Sequence, residues 1–225
     1  MQATVPTREV RIPSEAGTLQ GELFLPEGFG ALVLFVNGRG QGRHCVDDRT
    51  VARKLHLGGI ASLAIDLLTP QEQQAHALSG KPGIDMPLLT QRVLEVAQWI
   101  EQQPALRDAA LGLCGVAAGS PVALIAAARL GGAVRAVVSV GGRPDLAGPA
   151  VLAAVRAPTL LLSGSRSGDT LARSDAAYQH LRGERSQAVI PGGGPLLEEA
   201  GVLDHAGEMA AAWFEFHLTP LETAA

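Results

Sequence analysis

The sequence offers little to a disulfide, a zinc ion or a nucleic acid. Only two cysteines, Cys45 and Cys114, occur among its 225 residues, with no C-x-x-C and no Cys/His cluster. That spacing excludes the common zinc frameworks and disulfide scaffolds, so no metal is expected. Aromatic residues make up 4% of the chain and the net charge is −4. Neither a base-stacking platform nor a basic footprint is present, which argues against nucleic acid and anionic membranes as partners. No apolar run approaches the roughly 20 residues needed to cross a bilayer. The first thirty residues show no basic segment followed by an apolar one, the mark of a secretory signal. A cytoplasmic protein with reduced thiols is the expectation.

What is present is apolar material: 47% hydrophobic against 18% charged residues. At this length it suits one α/β domain spanning residues 1–225. Glu9–Ile12, a turn at Ala16-Gly17 and Leu19–Leu25 predict an N-terminal β-hairpin, closed by Pro26 and Gly28. Short continuous apolar runs follow at Ala31–Val36, Ile60–Ile65, Ala109–Cys114, Val134–Val140 and Thr159–Leu162. Runs apolar on both faces suit buried parallel strands. Between them, helical patterns cover Val51–Leu57 (after an Asp47-Asp48 cap), Met86–Gln103, Pro121–Leu130, Leu171–Leu181 and His205–Leu218. The alternation predicts a doubly wound, mostly parallel sheet with an opening hairpin and helices on both faces. In such sheets a site lies outside the carboxyl ends of the strands.

One such end carries a motif. Leu111–Gly119 reads as a strand running into a helix, with Gly115 and Gly119 placed as in the G-x-S-x-G nucleophile elbow. The central residue is Ala117, and a methyl group cannot attack a carbonyl.

The chain resembles the dienelactone hydrolase-like family of α/β hydrolases, including members found beside phosphoribosyltransferases. The resemblance spans most of the length. It rests on Asn37-Gly38-Arg39-Gly40-Gln41-Gly42-Arg43-His44, where the family tends to an HGSGS-type loop followed by Arg-His. It continues through Ala64–Pro70, Pro87-Leu88-Leu89, Gly141–Leu146 and Ala157–Leu162. It implies the α/β-hydrolase fold and a lineage acting on esters or lactones.

The resemblance also locates three substituted positions. The nucleophile position is Ala117. The family acid, in a Gly-x-Arg-Asp context, falls on Ser167 of Gly164-Ser165-Arg166-Ser167, with Asp169 out of register. The family histidine, in Pro-Gly-x-x-His, falls on Pro195. In a serine protease the loss of nucleophile or base alone costs about 10⁶ in turnover, and the oxyanion hole and binding leave roughly 10³–10⁴ over water. Ordinary serine-type ester hydrolysis is therefore not expected. His56, His76, His180, His205 and His217 read as surface or structural residues.

Several groups remain to line a pocket. The backbone N–H of Ala118 and one from the loop after Val36 are positioned by the motif for an oxyanion hole. Arg39, Arg43 and Arg143 are candidate carboxylate binders, each with a solvated or loop-bracing role as the alternative; for Arg143 the competing partner is Asp145. Asn37 stands where the family has a histidine and can donate to a bound oxygen. His44 is the candidate acid or base and Cys45 a weaker candidate nucleophile beside it. Cys114 reads as a core residue and Ser120 as a poor substitute nucleophile. Gly192-Gly193-Gly194 lacks the Gly-Lys-Ser/Thr ending of a phosphate loop, and no cofactor is expected.

Three readings follow. One is a degenerate hydrolase that binds a small acyl or carboxylate molecule. The second is an enzyme of altered mechanism, a hydrolase, lyase or isomerase built on His44 or Cys45. The third is a structural or partner-binding protein whose pocket is a relic, filled by Leu196 or Leu197. Monomer and homodimer both stay open.

Overall fold

A computed structural model describes residues 7–38, 45–79, 85–199 and 201–219. Arg39, Arg43 and His44 lie outside the described residues. The chain opens with strands β1 (Arg8–Ser14) and β2 (Gly17–Phe24), paired antiparallel in the expected hairpin. There follow β3 (Ala31–Asn37), α1 (Val46–Leu57), β4 (Ala61–Asp66), α2 (Pro70–Ser79), α3 (Met86–Gln102) and β5 (Ala110–Val116). The remainder is α4 (Ser120–Leu130), β6 (Val134–Val140), α5 (Pro149–Ala154), β7 (Thr159–Gly164), α6 (Asp169–His180), β8 (Arg185–Ile190) and α7 (Val202–Leu218).

The strands form one eight-stranded sheet in the order β1-β2-β4-β3-β5-β6-β7-β8. β2 joins β4 antiparallel, and every pairing from β4 to β8 is parallel. Order reverses at β3, which sits between β4 and β5, and in such sheets the ligand crevice lies outside the carboxyl end of the strand at this switch point.

The continuous apolar runs have a direct physical reading. Successive side chains of a strand point to opposite faces. In β3, Leu32, Leu34 and Val36 enter one buried cluster with residues of α3, α4 and α6. Ala31, Val33 and Phe35 enter the other, against α1 and α7. Both faces of the strand are thus covered, so no polar alternation survives in its sequence.

Helix α3 follows from its pattern. Asp85 caps it by accepting from the Leu88 amide at 3.0 Å, and Leu89, Val93, Val96 and Ile100 form its buried stripe. Helix α1 corrects an expectation. It begins at Val46, five residues before its apolar pattern, with Cys45 at the cap position and no side-chain cap bond. Asp47 and Asp48 lie inside the first turn. Asp48 is turned inward, only 1% exposed, with Nδ2 of Asn37 3.5 Å from its Oδ2. A buried carboxylate at a core-facing position hid the first turn from a reading based on apolar spacing.

Among the described residues no helix is long and apolar enough to cross a membrane.

Candidate functional site

The expected elbow is formed. β5 ends at Val116, Ala117 to Gly119 make a single 3₁₀ turn, and α4 starts at Ser120, one residue before the expected Pro121. Ala117 has φ of +50°, a left-handed conformation rare for a residue with a Cβ. The flanking glycines are required by close approach. A Cβ on Gly115 would come within 2.8 Å of Ser120 Cα, and one on Gly119 within 1.8 Å of the Val36 carbonyl oxygen. The turn is pressed between β3 and its own helix, which is why small residues stand two before and two after the centre.

Beneath it, the buried hydroxyls of Ser120 and Ser139 are hydrogen-bonded to each other, and Ser139 donates to the Gly141 carbonyl at 3.4 Å. Ser120 is fully buried and committed to this contact, so it presents no nucleophile. Cys114 is fully buried in the strand. Burial, reinforced by the charge of Asp48, pushes its thiol well above the ordinary range. That leaves it a packing residue. Cys45, half-buried at the start of α1, has no side-chain bond to the helix N-terminus.

The topology brings Ala117, Ser167 and Pro195, the positions that the resemblance assigns to the triad, onto neighbouring loops. Gly142, after β6, backs the elbow and donates its N–H to the Pro195 carbonyl at 2.9 Å. Pro195 itself is exposed. Ser167, after β7, is 5% exposed, and its hydroxyl finds no hydrogen-bond partner among the described residues. Asp169 is exposed in the first turn of α6 and takes no part.

The loop that carries Pro195 is folded down against the sheet. Leu197 is fully buried in the same apolar cluster as Ala117, with Leu196 packed at its margin. Leu197 holds a φ of +59°, a conformation that costs a bulky residue on the order of 1–2 kcal/mol and persists only where the surroundings impose it. Arg166 ties this loop to β7. Its N–H donates to the Gly193 carbonyl at 2.8 Å, and Nη2 donates to Oε1 of Glu199 at 3.1 Å. The same Oε1 accepts from the Gly194 amide at 2.8 Å. That amide, with Arg166 behind it, holds the Glu199 carboxyl below the usual range. No local sequence signal announces this pairing, since Arg166 and Glu199 are 33 residues apart.

Arg143, in the turn after β6, is already engaged. It forms a two-pronged pair with Asp145, Nε to Oδ1 and Nη2 to Oδ2 both at 2.7 Å, and Arg173 adds a contact to Oδ2 at 3.8 Å. Those hydrogen bonds from Arg143 hold Asp145 below the usual carboxylate range. An exogenous carboxylate would have to compete with a bidentate partner already in place.

The half-buried histidines, His56 and His217, sit at the opposite end of the sheet from the elbow. His56 Nε2 is 2.7 Å from Ser62 Oγ at the start of β4, with its ring on Phe24 at 3.7 Å between centroids. Desolvation lowers its pKa to about 4, against a smaller opposing pull from Glu22. His217 lines a cavity of about 420 Å³ with Gly30, Ala110 and Ala133, at the starting ends of β3, β5 and β6. His180 and His205 are exposed. None of these four can serve chemistry at residue 117. Among the described residues no group of three or more His, Cys, Asp or Glu could hold a metal.

An eight-stranded sheet with this order and an elbow at the end of β5 defines an α/β-hydrolase-fold protein. The dienelactone hydrolase of Anabaena variabilis superposes with a TM-score of 0.91 and 34% identity, over 95% of this chain and 99% of that one. An esterase domain from Rhodothermus marinus, 17% identical with a TM-score of 0.74 over 95% of this chain and 100% of that one, shares the fold. Proteins of Mycobacterium tuberculosis strains H37Rv and CDC 1551, named as candidate phosphoribosyl transferases, are each 38% identical over 218 residues, 96% of this chain. The chain spans about half the length of these relatives, 48%. No family model matches it. The chain belongs to the dienelactone hydrolase-like family of the α/β-hydrolase superfamily, a lineage of ester and lactone hydrolases.

Proposed function

We propose that this protein is a non-hydrolytic member of its family that binds a small acyl or carboxylate compound at the elbow. The observation that carries the reading is Ala117 at φ of +50°. The strained turn that would present a nucleophile is retained, and the residue it presents has no reactive atom. The hydroxyl of Ser167 and the ring of Pro195 cannot act as acid and base in the roles the family assigns those positions. The Ala118 N–H, at the mouth of a helix whose positive end faces the crevice, remains suited to a carbonyl or carboxylate oxygen.

The test is steady-state hydrolysis of a short-chain p-nitrophenyl ester by pure protein, followed by thermal shift with hexanoate. The expected outcome is no turnover above background and a rise in melting temperature with hexanoate. Saturable turnover that is lost in Cys45→Ala or His44→Ala would move the protein to the altered-mechanism reading.

A second reading is favoured by the fully buried Leu197 and by the chain's matching only half of relatives named for phosphoribosyl transfer. In that reading the chain acts as the partner of a phosphoribosyl-transferring unit and the crevice is a relic. Its mark would be a stable complex with such a unit and no thermal response to carboxylates.

A further inference from the structure

We infer that residues 191–199 form a closed strap beside the elbow, with Leu197 as its plug and the Arg166–Glu199 pair as its clasp, so that access to the side chain of residue 117 requires the strap to open. This rests on the ligand-binding reading for its purpose but not for its geometry. The strap leaves β8 at Pro191 and returns to α7 at Val202. Between those points it is pinned from two sides. On the β7 side the Gly192 amide donates to Ser165 Oγ at 2.9 Å, and the Gly193 carbonyl accepts from Arg166 at 2.8 Å. On the β6 side the Pro195 carbonyl accepts from Gly142 at 2.9 Å.

The clasp is electrostatic and solvent-facing. Arg166 and Glu199 side chains are 65% and 37% exposed, so the pair is easily released, unlike the packed sheet beneath. The plug is the opposite. Leu197 is fully buried, in a left-handed backbone that only the folded strap enforces, and it shares a cluster with Ala117, itself 8% exposed. A strained, buried plug held by an exposed ion pair and a few backbone bonds is a segment of low local stability set on a rigid base. Releasing Glu199 removes two hydrogen bonds at once, because Oε1 also anchors Gly194. Losing charge-assisted bonds of this kind should raise the open fraction about tenfold.

The experiment reads access without needing the natural ligand. In a Cys45→Ser background, Ala117→Cys places a thiol at the elbow while Cys114 stays buried. Its alkylation by N-ethylmaleimide is followed by mass spectrometry. With the strap intact, labelling should be at least tenfold slower than for the unfolded chain. Adding Glu199→Ala, Arg166→Ala or Leu197→Ala should each accelerate it about tenfold. Fast labelling with the strap intact, or no acceleration by the clasp variants and by Leu197→Ala, overturns the proposal. Hexanoate separates it from the ligand reading. Acceleration with no protection by hexanoate upholds the strap and removes the carboxylate-ligand reading.

Discussion

A Cβ on Gly142 would lie 1.9 Å from the carbonyl oxygen of Ala117, so the turn after β6 and the elbow after β5 are in backbone contact. Gly142 also has φ of +78°. Gly142→Ala therefore combines a backbone clash with an unfavourable dihedral angle, and it should destabilise the protein by about 3 kcal/mol or more. Urea denaturation would measure this as a lowered midpoint at unchanged slope.

Ala117→Gly should act in the other direction. Relief of the left-handed penalty, on the order of 1–2 kcal/mol, is partly offset by the added freedom of glycine in the unfolded chain, about 0.5–1 kcal/mol. The net is a stabilisation of about 0.5–1 kcal/mol, seen as a rise of about 1–4 °C in melting temperature. A fall would mean that the Ala117 methyl contributes more to packing than its backbone costs.

Ala117→Ser should restore no esterase activity. The new hydroxyl would lack the family's histidine, because the resemblance assigns that position to Pro195, and His56, His180, His205 and His217 stand at the far end of the sheet or on the surface. Turnover of a p-nitrophenyl ester should stay within about tenfold of background, since serine and histidine act as a unit.

His56 should make stability fall with acid. Its pKa is about 4 folded against 6.5 unfolded, so between these values the unfolded chain binds the proton first. The stabilisation from neutral His56 is complete above about pH 6.5 and is lost as pH falls towards 4. Solvent reaches part of the ring, which screens the effect to about 1–2 kcal/mol. Unfolding midpoints of wild type and His56→Gln at pH 7 and pH 5 give the contribution by difference; equal slopes would rule it out.

Arg92 should prove the costliest surface-distant charge to remove. Its guanidinium, 4% exposed, joins Glu95 on its own helix at 3.0 Å to Glu72 of α2 at 3.1 Å. Glu72 in turn accepts from the Thr69 amide at 2.7 Å. Arg92→Ala strands two partly buried carboxylates and should cost about 3 kcal/mol, while the triple variant with Glu72→Gln and Glu95→Gln should recover part of it.

The parallel strands and the elbow were legible because burial on both faces writes itself as an unbroken apolar run, and a tight turn admits only small residues at Gly115 and Gly119. β8 escaped because it is a half-buried edge strand, and its sequence RSQAVI carries no such run. α2 escaped because it has no apolar stripe. Its one local sign is the reciprocal pair in which the Thr69 hydroxyl accepts from the Glu72 amide and Glu72 accepts from the Thr69 amide.

By itself, then, the sequence determined the fold, the family and the absence of a reactive atom at residue 117, since each depends on residue type and on spacing along the chain. Tertiary structure alone decided that Asp48 turns inward beside Asn37, that Arg143 is occupied by Asp145, and that Leu197 is drawn into the cluster of Ala117 beneath the Arg166–Glu199 pair. Two of those are contacts between residues brought together by the sheet, and the third is one local pairing chosen from several open to an arginine on a loop. Their energies depend on burial and direction, quantities that no window of sequence contains.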